Sequence, residues 1–596
     1  MVQRLPFIKV SLLLIGYLWM LAIPAPYLGR NVYIDENALQ PGQVNTDWNW
    51  DDVHVADLYL VELEKLRDGN YTNVQRAQWL SEEFSKLGIT SSTQHYSFNT
   101  SRAKVVGTNA YAVLASPRHS GTEAIVISAS WISRIGEIDG TINIRGVATV
   151  LALANFLKRY SYWGKDIVFV ISDGYLDGMQ AWLFAYHDVS QCGLHAEPLQ
   201  HTSGVIWSAL NIDYPGHSFS HLGIFSEGLN GRLPNQDLIN SVSHIAQATA
   251  GVPVVLYDHI DHRQDASVDK APSWLPRALY NIPEIKTYLY QGRNVMQHLA
   301  SQFNGRGDGV HGLFHQFRID AITIFAVPAI GPHGFYAIGR IVESSLRTVN
   351  NLLERLHASF FFYIMTSPQR FLKIGLYLPS AILISVAIMF HGLGKWADAA
   401  WIKHNLVIED DKTSLSFKGW TRRRRPMIPA LSIMIATHCL GFVLFKVISS
   451  STFAKNFEIL SPLVFLVFSS IPLIVTILPE APNNEASLST VLKALNLCFA
   501  STVISIVTLL NFSLAASLSV YLGFPLIISS SSSKLLRFAK YAAYCFFGLG
   551  WLLVGHNQTL EAVWNWEVLS VWFAPFICIV VVPLVLQAGL VCIIST

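Results

Sequence analysis

Three apolar, β-branched runs in the first half of the chain end on residues that could do chemistry. Ala124–Ser130 (AIVISAS) ends on Ser130, Asp166–Asp173 (DIVFVISD) on Asp173, and Val205–Asp213 (VIWSALNID) on Asp213. In an open α/β sheet the site lies at the carboxyl ends of the strands, so these ends are the places to look. Other constellations are weaker. Cys192 stands near His187 and His195 and would suit a thiol nucleophile, but closeness in sequence is not pairing in space, and a lone free thiol is the plainer reading. Asp258-His259-Ile260-Asp261-His262 is rich in possible ligands, yet it precedes a loop with proline and charge and reads as solvated. Arg306-Gly307-Asp308 reads as a turn, and there is no Gly-rich phosphate loop.

The elements that must position these ends alternate. Gly146–Tyr160 has helical spacing of Val147, Val150, Leu151, Ala154 and Leu157, and Met179–Tyr186 is a second helix between strand runs. Strand–helix alternation with β-branched strands predicts an α/β domain: a mostly parallel mixed sheet with helices on both faces. Over roughly Ala124 to Ile324 the chain resembles the co-catalytic dizinc aminopeptidases in spacing. Their ligands are largely replaced. Ser130-Trp131-Ile132 stands where that family has His-x-Asp, Ile142-Asn143 where a bridging Asp precedes Asn, and Tyr175-Leu176 where a Glu pair supplies base and ligand. Asp213 in Asn-Ile-Asp and His311 in His-Gly-Leu-Phe match ligand positions. Two zinc ions need several N and O donors and a hydrolytic site needs an activated water. The resemblance therefore implies a domain with no catalytic residues and no metal, Asp213 and His311 being vestigial. A single zinc held weakly by Asp213, His311 and a rearranged neighbour is the alternative.

The rest of the chain is a different solvent problem. Hydrophobic residues make up 51% and charged residues 14% of 596, too apolar for an ordinary soluble protein. Lys and Arg total 42 against 40 acidic residues, so net charge gives no reason to expect nucleic acid. Apolar runs predict a span at 6–28, read as a retained anchor rather than a cleaved signal, a large domain over 29–370, a span at 371–393, a loop over 394–426, and six more spans within 427–596. The sum is an all-α transmembrane bundle of about eight helices. Arg4 and Lys9, the run Arg422–Arg425, and Lys534, Arg537 and Lys540 place residues 1–5, both termini and loop 394–426 in the cytoplasm. The large domain is then luminal, in the endoplasmic reticulum. The sequons at Asn70, Asn99 and Asn557 all fall on that side. Of 6 cysteines, Cys192 alone lies in the domain, which must be held by packing rather than an internal disulfide.

The flanks of the domain carry a second resemblance. Asn31–Val44 (NVYIDENALQPGQV), His311–Ile324 (HGLFHQFRIDAITI), Leu352–Ile364 (LLERLHASFFFYI) and Phe371–Ser380 (FLKIGLYLPS) resemble the GPI-anchor attachment protein family, as does the layout of one span, a luminal domain and a C-terminal group of spans. That resemblance implies a non-catalytic subunit of the GPI transamidase complex. Such a subunit binds the GPI glycolipid and presents it for attachment to precursor proteins with a C-terminal GPI signal, while a caspase-like cysteine protease subunit supplies the nucleophile. It implies partners among the other subunits and membrane lipids. The alternatives are an active membrane-bound zinc metallopeptidase, or a subunit that itself helps form the new amide bond.

A lipid head offers sugar hydroxyls, phosphates and an amine. Asp35 and Glu36 suit the amine, Arg355 a phosphate, and Tyr33 can stack on a sugar; His357 lies in the matching segment before the second span. In the final span Pro583 frees a carbonyl at depth, in the region where the family associates a proline with GPI recognition, with Pro575 the competing position. A helical run over Ala337–Phe362, ending in aromatic residues and followed by Tyr363, is expected to anchor the domain at the membrane interface.

Overall fold

The computed structural model describes residues 5–35, 45–118, 120–265, 270–356, 361–410, 413–477, 485–528 and 533–594. The chain divides into two compact units, one of Ile23–Leu376 with Glu567–Val571, the other of Met1–Ala22, Tyr377–Trp566 and Trp572–Thr596.

The first unit is built on a nine-stranded mixed sheet. In chain order the strands are β1 (Arg30–Asn31), β2 (Thr90–Asn99), β3 (Lys104–Leu114), β4 (Glu123–Ser130), β5 (Asp166–Ser172), β6 (Leu194–Ala196), β7 (Val205–Asp213), β8 (Phe219–Phe225), β9 (Val254–Leu256), β10 (Asp320–Pro328), β11 (Tyr363–Ser367) and β12 (Arg370–Lys373). The large sheet runs β6-β2-β3-β5-β4-β7-β10-β8-β9, and β1, β12 and β11 form a separate small sheet. The centre is parallel: β4 pairs β5 and β7, and β7 pairs β10. The predicted strands are those central ones. Each is buried along nearly its whole length, which is why it reads as a continuous apolar run rather than an alternating one. The helix Ile144–Lys158 covers the sheet with Val147, Val150, Leu151 and Leu157 fully buried, as its spacing predicts. The nine-stranded α/β architecture agrees with the expected fold class.

Helices at the start of the domain are fixed by their ends. Asn49 caps Trp50–Asp68 in a capping box with Asp52, and Thr72 caps Asn73–Lys86 in another with Gln75. The last helix, Phe335–Asn350, carries a fully buried Glu343 whose carboxylate accepts the N–H groups of Asp47 and Trp48 and pairs with Arg347. The helical run expected over 337–362 is corrected here. The helix stops at Asn350, and Tyr363 begins β11, where its buried hydroxyl donates to the Pro234 carbonyl at 2.9 Å. A phenol with a backbone acceptor inside the domain is a core residue, not an interfacial anchor. Segment Glu567–Val571 joins this unit through polar contacts. The Glu567 carboxylate accepts from the backbone and hydroxyl of Ser101 at 3.0 and 3.1 Å, and Gln191 Nε2 donates to the Glu567 and Val568 carbonyls at 2.9 Å.

Among the described residues of the second unit five helices are long and apolar enough to cross a membrane: Ile374–Ala400, Met427–Ile448, Phe457–Thr476, Leu488–Leu510 and Phe573–Ile594. Pro6–Ala22 and Phe512–Ile527 are shorter apolar helices, and Lys534–Leu549, overlapping the remaining expected span, is 16 residues long and carries three basic residues. Between the first two long helices the expected loop contains an antiparallel hairpin of β13 (Trp401–Asp410) and β14 (Thr413–Arg422). Polar side chains satisfy one another inside the bundle: Asn496 Nδ2 donates to Gln587 Oε1 at 2.9 Å, and Gln587 Nε2 donates to Thr437 Oγ1 at 2.7 Å.

Candidate functional site

The ends of β4, β5 and β7 converge as the sequence implies, and each terminal residue has a structural partner. Asn143, on the loop after β4, donates to the carbonyls of Ser130 and Ile212 and accepts from the N–H of Gly146 and Tyr214, tying the β4 and β7 ends together. Asp173 is locked by Arg76 at 3.1 Å and by the Thr108 N–H at 3.2 Å. Asp213 accepts the Arg134 N–H on Oδ2 at 2.9 Å, while its Oδ1 is buried without a hydrogen-bond partner among the described residues. Burial raises the Asp213 carboxyl to about 6.

His311 is at the far end of a buried polar chain. The Ser128 hydroxyl donates to Asn211 Oδ1 at 3.0 Å, and Asn211 Nδ2 donates to Thr323 Oγ1 at 3.2 Å. Thr323 and His311 Nδ1 are 2.8 Å apart, and His311 Nε2 lies 3.1 Å from the Glu227 carbonyl. A carbonyl only accepts, so Nε2 carries the proton and Nδ1 accepts from Thr323. Burial, reinforced by His315, pushes the His311 imidazole down to about 3, so it is neutral throughout the physiological range.

A zinc centre would need donors free and aimed at one point. Both His311 nitrogens are engaged, Asp213 holds a backbone N–H, and among the described residues no group of three or more His, Cys, Asp or Glu is placed to share an ion. The residues present do not fit the metal.

Beside the strand ends, on the loops that follow them, lies an open cavity of about 230 Å³. Tyr175 and Leu176, the pair standing in place of two glutamates, form one wall; Arg134 and Glu137 form another; Gln297, Ser301 and the 304–309 turn complete it. Tyr175 is buried and its hydroxyl donates to the Asp308 carbonyl at 3.3 Å. Arg306 pairs with Glu137, and Gln297 donates to Asp308 Oδ2 at 3.1 Å. Behind the wall Glu227 accepts from the Tyr257 hydroxyl and from His298 Nδ1 at 3.0 Å. Burial acts to raise the Glu227 carboxyl, and the His298 hydrogen bond and charge more than reverse it, leaving it below its ordinary value.

Sequence reasoning missed this Glu227–Tyr257–His298 cluster because its members lie on separate elements. It also read Arg306-Gly307-Asp308 as a turn only. The turn is real, with Gly305 and Gly307 at positive φ, and it also lines the cavity. The stretch Asp258–His262 is corrected too. His259 and Asp261 are buried rather than solvated, His259 Nδ1 lying 2.9 Å from Asn294 Oδ1 and Asp261 being clasped by Arg263.

The remaining candidates are dispersed. Tyr33 is partly exposed, with its ring 6.4 Å from Phe371 and its carbonyl accepting from Asn240, and the Asp35 N–H donates to Asp237. Arg355 reaches the Ile206 carbonyl at the start of β7, at 2.9 Å. Glu36 and His357 lie outside the described residues. Pro583 sits in the helix Val582–Ile594, directly after a π-helical turn, Ile577–Val581. Asn70, Asn99 and Asn557 are all exposed.

Fold and site together define an α/β protein with helices of membrane-spanning length and a cavity beside the strand ends lined by Arg134, Arg306, Glu137, Asp308, Tyr175 and amide side chains. The chain belongs to the family described as Gaa1-like, GPI transamidase component, whose family model matches residues 106–589. It is 26% identical over 594 residues to the GPI transamidase component gaa1 of Schizosaccharomyces pombe, covering 97% of this chain and 93% of that one. It is 29% identical over 420 residues to the GPI transamidase component GAA1 of Saccharomyces cerevisiae, covering 70% of this chain and 61% of that one. Among solved structures it has a distant likeness to the LapA aminopeptidase of Legionella pneumophila, with 14% identity, 54% of this chain, 80% of that chain and a TM-score of 0.33. A glutaminyl cyclase of Fimbriiglobus ruber gives 15%, 52%, 98% and 0.32.

Proposed function

We propose that this chain is a non-catalytic subunit of the GPI transamidase that binds the GPI glycolipid and presents it, while also scaffolding the complex, for attachment to precursor proteins. The reading places it in the endoplasmic reticulum membrane, with the α/β domain luminal, both termini cytoplasmic, and the nucleophilic cysteine in a caspase-like partner subunit. Family membership supports the assembly. The observation that carries the non-catalytic part is the engagement of His311. A histidine held neutral, with its proton on a carbonyl and its lone pair on a threonine hydroxyl, is neither a metal ligand nor a base for an incoming nucleophile. On this reading the domain works without a resident metal.

The test is photolabelling of the intact complex with a GPI analogue carrying a diazirine on its lipid or its glycan. Labelling of this chain that unlabelled GPI competes away, and that weakens in Tyr33→Ala, Asp35→Ala or Pro583→Ala, supports lipid presentation. Labelling confined to other subunits overturns it. Retention of transamidation by an His311→Gln complex supports the non-catalytic assignment, and its loss with normal assembly and lipid capture overturns that assignment.

A further inference from the structure

One ordered stretch of the α/β domain adds nothing to its core. Residues 270–289 comprise a turn at Leu275, the helix Arg277–Tyr280 and the opening turns of the helix Pro283–Phe303, closed by backbone hydrogen bonds, and none of these residues is buried. Burial in the longer helix starts at Tyr290 and continues through Asn294 and His298. The unburied stretch is nonetheless apolar: Trp274 is 71% exposed, Leu279 45% and Ile282 40%. Ordered apolar side chains that bury nothing in their own domain mark a surface that meets something else.

What it meets follows from where the helix is fixed. The domain begins at Ile23, directly after the apolar helix Leu5–Ala22, and ends as the helix Ile374–Ala400 begins. The two exits are tied together. Arg370 Nη1 donates to the Pro26 carbonyl at 2.6 Å, and Arg30 and Asn31 pair with Phe371 and Arg370. The helix Pro283–Phe303 crosses the same face. A Cβ on Gly292 would stand 3.7 Å from Pro24 Cβ, and Asn294 Nδ2 donates to the Thr366 carbonyl in β11 at 2.9 Å. Pro283 is about 14 Å further along that helix, so the unburied stretch starts beside the point at which the chain leaves its first apolar helix.

Its composition suits the edge of a bilayer. Trp274, Tyr280 and Tyr288 carry rings of the kind that settle between headgroups and acyl chains. Lys270, Arg277 and Lys286 outnumber the one acid, Glu284, and long cationic side chains can lie along apolar surface while reaching phosphates. Lys286 already lies over the Tyr280 ring at 4.8 Å. A protein partner would leave the nearness to Pro24 unexplained.

We infer that residues 270–289 form an in-plane arm in the headgroup layer, with Trp274, Leu279 and Ile282 entering the acyl boundary and holding the domain at a fixed height above the bilayer. The arm rests on the flanking helices spanning the membrane and not on glycolipid binding, since the acyl chains of any phospholipid serve it.

The experiment places the fluorescent amino acid Anap at Trp274, Leu279 or Ile282, one at a time, in the full-length chain. Each protein is studied in phosphatidylcholine nanodiscs, alone and within the intact complex, with a nitroxide near the headgroup end of the acyl chains as quencher. Anap at Leu18, exposed on the helix Leu5–Ala22, calibrates quenching inside the bilayer. Quenching at Trp274 and Leu279 of at least about half the Leu18 value is expected, and anything less overturns the arm. Absence of quenching at Leu18 itself removes the span on which the arm is built and overturns it too, whatever the glycolipid photolabelling shows. Quenching in the lone chain that vanishes in the complex gives the face to a partner subunit and likewise overturns the inference. Trp274→Glu with Leu279→Glu should lower quenching of Anap at Ile282 by about twofold or more and leave the melting temperature in detergent at the wild-type value. Unchanged quenching at Ile282, or a lower melting temperature in detergent, would assign these residues to the domain's own packing.

Discussion

His438 donates its Nδ1–H to the backbone carbonyl of Ile579 at 2.6 Å, and Ile579 lies four residues before Pro583. In a regular α-helix that carbonyl would take the N–H of residue 583, which proline lacks. The helix widens into a π turn at this point, and the imidazole of a neighbouring helix supplies the missing donor. In an apolar surround an unmet carbonyl is expensive, so the pairing explains how a proline is held in this span.

His438→Leu is expected to destabilise the full-length chain in detergent by about 1–3 kcal/mol, the penalty for leaving one buried acceptor unsatisfied. In a Pro583→Ala background residue 583 regains its N–H, and the same substitution should have a smaller effect. Thermal unfolding of the four members of this cycle measures the difference. Equal effects in the two backgrounds would show that His438 does not serve the proline gap.

Gly441 packs against the same turn, where an added Cβ would meet the Cys578 carbonyl oxygen and stand 2.9 Å from Pro583 Cγ. Gly441→Ala must push the two helices apart and is expected to lower stability by about 1–3 kcal/mol. A melting temperature equal to wild type would mean the helices have room to separate.

Asp213 makes the domain's stability depend on pH in a predictable direction. Burial raises its carboxyl from 3.8 to about 6, so folding favours the protonated form. That contribution is complete below pH 3.8 and is lost as the pH rises through about 6. Asp213→Asn removes the titration, so the stability of the variant relative to wild type should increase between pH 4 and pH 7, by at most about 3 kcal/mol. Denaturation curves whose difference stays flat over that range would place the Asp213 carboxyl in a more solvated setting.

Metal content is a direct check on the donor geometry. The purified chain should contain well under one zinc per molecule by elemental analysis, and its melting temperature should not move on adding EDTA. Stoichiometric zinc that departs in His311→Ala would return Asp213 and His311 to the role of ligands.

The central sheet was legible because burial on both faces leaves no polar residues to interrupt a strand; Ala124–Ser130 and Asp166–Ser172 could hardly be anything else. β2 escaped notice for the opposite reason. Its TSSTQHYSFN alternates polar with apolar and buries Gln94 entirely, which local pattern cannot distinguish from a loop. The small sheet was equally hidden, since Arg30 and Asn31 find Phe371 and Arg370 only through tertiary packing. For the site, the departures from a metal centre were visible residue by residue. The cavity wall was not, because Arg134, Tyr175 and Gln297 reach it from segments far apart in the sequence.

Ser101 and Glu567 are separated by 466 residues, and that span is also a delay. At roughly 5–20 residues per second, the interval between synthesis of the two partners is on the order of half a minute to a minute and a half. The α/β domain is complete only after β12 at Lys373, and from then until Glu567 is made the Ser101 and Gln191 side of its surface is open to water or to a chaperone. Closure of that surface is then among the last events of biogenesis, and a chain truncated before Glu567 would present the open surface permanently.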